Sequence, residues 1–230
     1  MREWLHLLGR SPKNNGEPKW FERDDGNARL AHDRRLLTGK YPDLEFALNF
    51  RLQKAVLRGT ITLKEETSGI PTRIKNRIIF PDDYPETEPT ASDDANQFPH
   101  VADRHFYKGG ECCLWLPLES QWRSEEDDTL LNFVDQVAVF FERQLMYDAS
   151  GGVWAWGERG HGDAGYIEFL EEQLDANYQT IQKLMPVITG ITVIYNKSKC
   201  PCGSNRDYSF CHKQKIDYIK DKISRFLKRK

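Results

Sequence analysis

Alternating apolar residues near residue 50 restrict the possible fold more than any other feature of this sequence. Every second position from 44 to 52 is leucine or phenylalanine. Successive side chains of a strand point to opposite faces, so this pattern predicts a half-buried β-strand with all five residues on one face. Two further β-rich runs, 56–63 and 72–80, flank a polar segment at 65–69 that predicts a hairpin connection. The alternating residues are Leu44, Phe46, Leu48, Phe50 and Leu52.

Helical spacing of apolar residues occurs on both sides of this region. Residues 28–37 predict a short amphipathic helix that stops at Gly39, and residues 130–145 predict a longer core helix. A third helix is predicted over 165–184, ended by Pro186, and residues 187–195 predict a linker or an extra strand. The expected fold is therefore α+β, with an antiparallel meander sheet and flanking helices.

Length and charge limit the protein classes that fit. At 230 residues the chain exceeds a typical domain of about 100–150 residues, so one core with an appended module is expected. The net charge is −2 and the charges are well mixed, which argues against a nucleic-acid partner. No apolar run approaches the roughly 20 residues that cross a bilayer, and the first residues do not begin a secretory signal.

The five cysteines form two groups, one at 112–113 and one at 200–211. An odd count argues against a complete set of disulfides, and the second group has the spacing of metal ligands. Both points fit a reducing interior. We therefore expect a cytoplasmic protein.

The first cysteine group lies in the segment Gly110-Glu111-Cys112-Cys113-Leu114, upstream of Trp122. A thiol suits acyl transfer because its thiolate is nucleophilic and its thioester stays reactive toward amines. The two glycines before the pair allow close approach of the backbone, and only one of the two thiols is expected to face solvent.

Residues 28–148 resemble ubiquitin-conjugating enzymes in the order of a strand, a Tyr-Pro turn, a loop, Gly-x-x-Cys-Leu, a tryptophan and a helix. The resemblance implies that Cys113 is the thioester nucleophile and that Cys112 takes a buried position. Phe98-Pro99-His100 stands where the family has His-Pro-Asn. His100, with His105 as the second candidate, is thus expected to donate a hydrogen bond to the oxyanion.

The run from Trp154 to Gly165 and the altered loop resemble a divergent bacterial branch of this family, found beside activating-enzyme-like genes and antiphage operons. Trp154 and Trp156 are interpreted as packing residues. His161 lies between two glycines. A place in a turn or helix cap and a place in the active cleft both stay open for His161.

The second cysteine group supplies four ligands within thirteen positions: Cys200, Cys202, Cys211 and His212. Tetrahedral Zn²⁺ is the expected occupant of such a set. Four protein ligands leave no open coordination position, so the zinc is predicted to be structural.

Residues 200–212 resemble the SEC-C motif, the zinc-binding tail of the SecA translocation ATPase, which implies a module for protein docking. A final amphipathic helix is predicted from Ile216 to Leu227, followed by the basic residues 228–230. This basic end complements the helix dipole and suits an acidic partner or RNA.

We divide the chain into an N-terminal extension (1–27), a conjugating-type domain (28–185), a linker or extra strand (186–198) and a zinc module with a basic helix (199–230). The expected activity is thioester transfer through Cys113 from an activating-enzyme-like protein to an amine. The cargo is a ubiquitin-like modifier or another protein, such as a cGAS-like nucleotidyltransferase in bacterial antiviral defence. A catalytically inactive binding module and a zinc-tailed adaptor are the alternatives.

Overall fold

A computed structural model describes residues 18–64, 71–155, 157, 159–160 and 162–228. The predicted hairpin connection at 65–69, Trp156, His161, residues 229–230 and most of the predicted N-terminal extension lie outside this part of the chain. The described residues form two compact units. The first belongs to Met1–Leu114 and Gln121–Ala155, and the second to Trp115–Ser120 and Trp156–Lys230.

The first unit is built on one antiparallel sheet. Helix α1 (Asp24–Lys40) is followed by strands β1 (Leu44–Asn49), β2 (Lys54–Lys64), β3 (Pro71–Ile79) and β4 (Thr90–Asp93), which neighbour one another in chain order. The alternating residues Leu57, Ile61, Ile74 and Ile78 are buried together on one face of the sheet. The predicted α+β class, the meander and the flanking helices are thus confirmed.

Helix α2 (Thr129–Ala149) covers the core of the first unit. Leu130, Val134, Val137 and Phe141 recur at helical spacing and are fully buried, so the predicted apolar stripe forms the packed face of the helix. The helix contacts β2 and α1. Its C-terminal half also anchors the segment that carries the candidate active site.

Strand β1 is shorter than the alternation predicts. Phe50 and Leu52 are 54% and 47% exposed and do not belong to the buried face. The side chain of Asn49 accepts hydrogen bonds from the backbone N–H groups of Arg51 and Leu52, both at 3.1 Å, and this turns the chain into β2. The local turn therefore ends the strand before the apolar pattern ends.

The core of the first unit begins before residue 28. Trp20 and Phe21 are buried, and α1 starts at Asp24. The ring centroid of Trp20 lies 4.6 Å from that of Tyr84 and 5.7 Å from that of Phe80, which joins this segment to the end of β3. Part of the predicted extension is therefore a component of the first core, because two large aromatic side chains are buried there.

The second unit contains helices α3 (Asp163–Leu174), α4 (Tyr178–Ile188) and α5 (Lys213–Lys228). The single helix predicted over 165–184 is two helices, because Asp175 is left-handed and the Asn177 side chain caps α4 by accepting from Thr180 N at 3.0 Å. Pro186 lies within the last turn of α4 instead of ending it.

No strand forms over 187–195. Ile191, Val193 and Tyr195 are exposed, and the described residues offer this segment no partner strand, so its β propensity is not realised. The predicted boundaries at 28, 185 and 199 do not coincide with the two units. None of the helices that the structure describes combines the length and the apolar character needed to cross a bilayer.

Candidate active site and metal centre

A small hairpin carries Cys113. The Tyr107 N–H donates to Glu111 O at 2.9 Å, and the Cys113 N–H donates to His105 O at 2.8 Å. The pair Phe106 and Cys112 lies between these two bonds as an antiparallel bridge. Residues 105–107 and 111–113 are therefore paired in register, with Lys108, Gly109 and Gly110 in the turn.

The two cysteines lie on opposite faces of this hairpin. Phe106 and Cys112 are buried, with Cys112 7% exposed, and the Cys112 N–H donates to Ala91 O at 2.8 Å. Burial, together with the nearby charge of Asp93, raises the pKa of the Cys112 thiol far above its ordinary value. Cys113 is half-buried and faces outward by alternation. Cys113 is thus the more accessible thiol of the pair.

His105 is the residue directly opposite Cys113. His105 takes a left-handed conformation (φ 55°) at the end of a short 3₁₀ helix, Ala102–Arg104. The hairpin therefore pairs the backbone of the second candidate histidine with that of the candidate nucleophile.

His100 is held at the turn of the hairpin instead. Its Nε2 lies 3.2 Å from Oδ2 of Asp93, whose side chain is completely buried. The ring fills the space beside the Gly110 Cα, where an added Cβ would lie 2.5 Å from the ring atom Cε1. Gly110 also has a φ of 81°, so both its backbone and its surroundings require glycine.

This arrangement limits the role predicted for His100. Because Nε2 faces Asp93, only Nδ1 remains for a ligand, and in neutral imidazole that nitrogen is an acceptor. Donation to an oxyanion would require the protonated ring. Among the described residues, no hydrogen bond links His100 to the Cys113 sulfur.

Asp93 was not foreseen in the sequence. Its carboxylate accepts hydrogen bonds from the backbone N–H groups of Ala95 at 3.1 Å and Phe98 at 3.0 Å, in addition to its contact with His100. Asp93 N also donates to Gly110 O at 3.1 Å. Asp93 ends a four-residue strand of mixed composition, and such a short run gives no periodicity that could have indicated a buried carboxylate.

Two further side chains hold the segment before the candidate site. Arg104 is buried and donates to Gln144 through Nε (3.0 Å, to Oε1) and Nη2 (3.1 Å, to the backbone O). Gln144 Nε2 returns a hydrogen bond to Arg104 O at 3.0 Å. Trp154, interpreted as a packing residue, lies with its ring centroid 5.3 Å from that of His105 and donates from Nε1 to Asp103 O. These contacts fix the backbone that precedes His105.

The second cysteine group forms a tight cluster in the second unit. The ligand atoms of Cys200, Cys202, Cys211 and His212 all lie within 4.8 Å of one another. The cluster is built from a knuckle in which Cys200 N donates to Arg206 O at 2.9 Å and Gly203 N donates to Cys200 O at 3.2 Å, and from the two residues that precede α5.

The distances within the cluster fit a single ion. A tetrahedral zinc site with Zn–S bonds of about 2.3 Å places sulfur atoms about 3.8 Å apart and a sulfur and an imidazole nitrogen about 3.6 Å apart. The Cys202 and Cys211 sulfurs are 3.6 Å apart, and His212 Nδ1 is 3.3 Å from the Cys200 sulfur and 3.2 Å from the Cys211 sulfur. The cluster is therefore able to hold a metal ion.

The knuckle is part of a larger core. Cys200 and Tyr208 are buried together with residues of α3, α4 and α5. The buried side chains that surround them are Leu174, Ile181, Leu184, Val187, Ile188, Ile216 and Ile219. A metal bound here would therefore cross-link the core of the second unit and not only a peripheral tail.

Neither a protein-family profile nor a curated protein matches the sequence. Among solved structures, the chain is similar to the yeast vps23 UEV domain, determined in complex with a vps27 PSDP peptide. The sequence identity is 18% over 51% of this chain and 81% of that chain, with a TM-score of 0.37.

Proposed function

We propose that the protein is a ubiquitin-conjugating-like acyl carrier that forms a thioester on Cys113. The observation that supports this most is the hairpin at 105–113, because it buries one thiol of the pair, leaves the other partly accessible and pairs the backbone of Cys113 with that of His105. A carrier needs such an accessible thiol on a rigid support. The order of motifs along the chain supports the same assignment.

In the proposed reaction, the Cys113 thiolate attacks the carbonyl carbon of a protein C-terminus held as a thioester on an activating-enzyme-like protein. The bond from that carbonyl to Cys113 forms, the thiolate of the activating protein leaves, and it takes up the proton lost by Cys113. An amine then attacks the Cys113 thioester, expels the thiolate and loses a proton as the amide forms. His105 is suited to accept that proton or to stabilise the oxyanion.

The proposed partners follow from the family resemblance. They are an activating-enzyme-like protein and, as cargo, a ubiquitin-like modifier or a cGAS-like nucleotidyltransferase. A bacterial origin, a cytoplasmic location and a role in antiviral defence belong to the same proposal.

A catalytically inactive binding module is the second candidate. The observation that favours it is the contact between His100 and Asp93, because the side chain at the family's asparagine position is turned toward a buried carboxylate. In this case the conjugating-type unit would keep its fold and act as a binding surface, and Cys113 would carry no cargo.

A loading assay separates the two candidates. The protein is incubated with ATP, an activating-enzyme-like protein and a small modifier encoded by neighbouring genes, and adducts are detected by intact mass and by their loss in excess thiol. We expect a thiol-sensitive adduct in the wild type and in Cys112→Ser. Cys113→Ser should give a thiol-resistant ester or no adduct, and Cys113→Ala should give none. A thiol-sensitive adduct that persists in Cys113→Ala would refute the assignment.

We further propose that the cluster at 200–212 binds one structural Zn²⁺. Three thiolates and one imidazole form a soft, closed donor set for which zinc is the preferred divalent ion in a reducing interior. When bound, the ion would cross-link the residues that hold it and would take no part in a reaction. Protein docking through this unit, which the SEC-C resemblance implies, is part of the proposal.

A further inference from the structure

A pocket of about 250 Å³ lies against the sheet of the first unit. Its lining includes Phe50, Val56, Arg58, Arg77 and Asp94. Leu57 and Ile78, the neighbours of Arg58 and Arg77 along the strands, point into the buried core. By alternation, the two arginines therefore project from the opposite face of the sheet.

The two arginines are direct cross-strand partners. Arg58 of β2 pairs with Arg77 of β3 in the antiparallel register. Their Cβ atoms are thus about 5 Å apart, and like charges in this position destabilise a sheet. An anion between the two guanidinium groups would relieve this repulsion.

The hydrogen-bond donors of this pair are only partly used. Arg77 Nη1 lies 2.9 Å from Asp94 Oδ1, while Arg77 Nε is buried without a hydrogen-bond partner. Arg58 is exposed and makes no ion pair within the described part of the chain, although Glu45 lies opposite it on β1. Guanidinium N–H groups are thus left over at the pocket, and the residues that line it, among which Glu45 is not included, carry a net charge of +1.

The charge and the lining together indicate the ligand class. A single excess positive charge matches one carboxylate, whereas a phosphate dianion would leave one negative charge unbalanced. Planar guanidinium groups bind carboxylates with paired N–H donors. Val56 is 2% exposed in the pocket wall, and Phe50 is 54% exposed beside it, so an apolar group next to the carboxylate would also be contacted.

We infer that this pocket binds a carboxylate that is attached to an apolar group. Two sources share this chemistry, namely a small apolar carboxylic acid and the C-terminal carboxylate of a peptide with an apolar last residue. The site is independent of the thioester reaction proposed above, since none of its residues belongs to the hairpin at 105–113.

The test follows the arginine Nε–H signals of the ¹⁵N-labelled full chain by NMR at low salt, during titration with phenylacetate. We expect a saturable shift of the Arg77 Nε–H signal with a dissociation constant on the order of 1–10 mM, as befits so small a ligand. Phenylacetamide, the neutral analogue, should give no saturable shift. A parallel titration with acetyl-Ala-Phe as free acid and as amide distinguishes a peptide C-terminus from a free small acid.

Variants locate the binding. Arg58→Gln should weaken phenylacetate binding about tenfold, because one charged donor group is lost. Arg73→Gln is the matched control: Arg73 lies on the same face of β3 but pairs with Asp43, so binding should be unchanged. The inference is overturned if phenylacetamide binds equally well, if inorganic phosphate binds as tightly as phenylacetate, or if Arg58→Gln has no effect.

Discussion

The hairpin of Cys113 and the cluster at 200–212 use cysteine in opposite ways. In the hairpin, alternation separates two adjacent thiols, so that one is buried and the other is accessible. In the cluster, three thiols and an imidazole converge within 4.8 Å. The first site therefore depends on one thiol being accessible, whereas the second depends on four ligand atoms lying close together. Removal of the Cys113 sulfur should therefore abolish chemistry in the hairpin, whereas removal of a ligand sulfur should abolish folding of the cluster.

The largest expected effect is the loss of folding when ligands of the cluster are removed. The double variant Cys200→Ser/Cys202→Ser should lose the single zinc ion per chain and with it the cooperative folding of α3 to α5. Structural zinc contributes folding free energies on the order of 10 kcal/mol, more than a small core provides by itself. Elemental analysis and hydrogen exchange of the two units measure both effects.

The matched control for this variant is Cys112→Ser/Cys113→Ser, which removes two sulfurs from the hairpin. It should retain the zinc ion and the protection of the second unit. If the cluster variant remains fully protected without zinc, the metal is not a folding element, and the comparison fails at the cluster.

The next largest effect tests which histidine acts with Cys113. If the proposed transfer occurs, His105→Ala should slow discharge of the thioester to an amine by roughly 10²–10³, the usual effect of removing one oxyanion donor. His100→Ala should reduce discharge less, because Nε2 of His100 is directed at Asp93. Single-turnover discharge of preloaded protein measures this step separately from loading. A larger loss in His100→Ala than in His105→Ala would restore the role that the family resemblance implies for His100.

A smaller effect tests the support of the hairpin. Gly110→Ala should destabilise the protein by about 2–3 kcal/mol, because the residue has a positive φ and the new Cβ would overlap the His100 ring. Gly109→Ala is the control, since an added Cβ at that position meets no atom within 4 Å. Urea unfolding gives both free energies. Equal stability of the two variants would show that the His100 ring does not hold the turn.

The sequence predicts these two regions to different degrees for physical reasons. The four metal ligands lie within thirteen residues, so local spacing alone brings them together. The burial of Cys112 next to an accessible Cys113 follows from strand alternation once the hairpin is recognised. Asp93 acts through contacts with a loop, and Arg104 acts through contacts with residues distant in the chain. No periodic pattern in the sequence encodes such contacts.

Other features depend on strand register. The Arg58–Arg77 pair can be recognised only once the β2–β3 register is known, because the two residues are nineteen positions apart in the chain. Trp20 is buried by packing in the first core, although the apolar pattern predicts that the domain starts at residue 28. Strand β1 ends at Asn49 because the Asn49 side chain forms a turn, although the apolar pattern continues beyond it.

The most direct test of the central claim is the alkylation of the native protein by iodoacetamide, mapped to individual cysteines by mass spectrometry as a function of pH. The claim is that the hairpin presents Cys113 and hides Cys112. We expect the zinc-loaded protein to be labelled at Cys113, while Cys112 stays unlabelled until unfolding, because Cys112 is buried and burial raises its thiol pKa. Labelling of Cys112 at a rate equal to or above that of Cys113 in the folded protein would contradict the account.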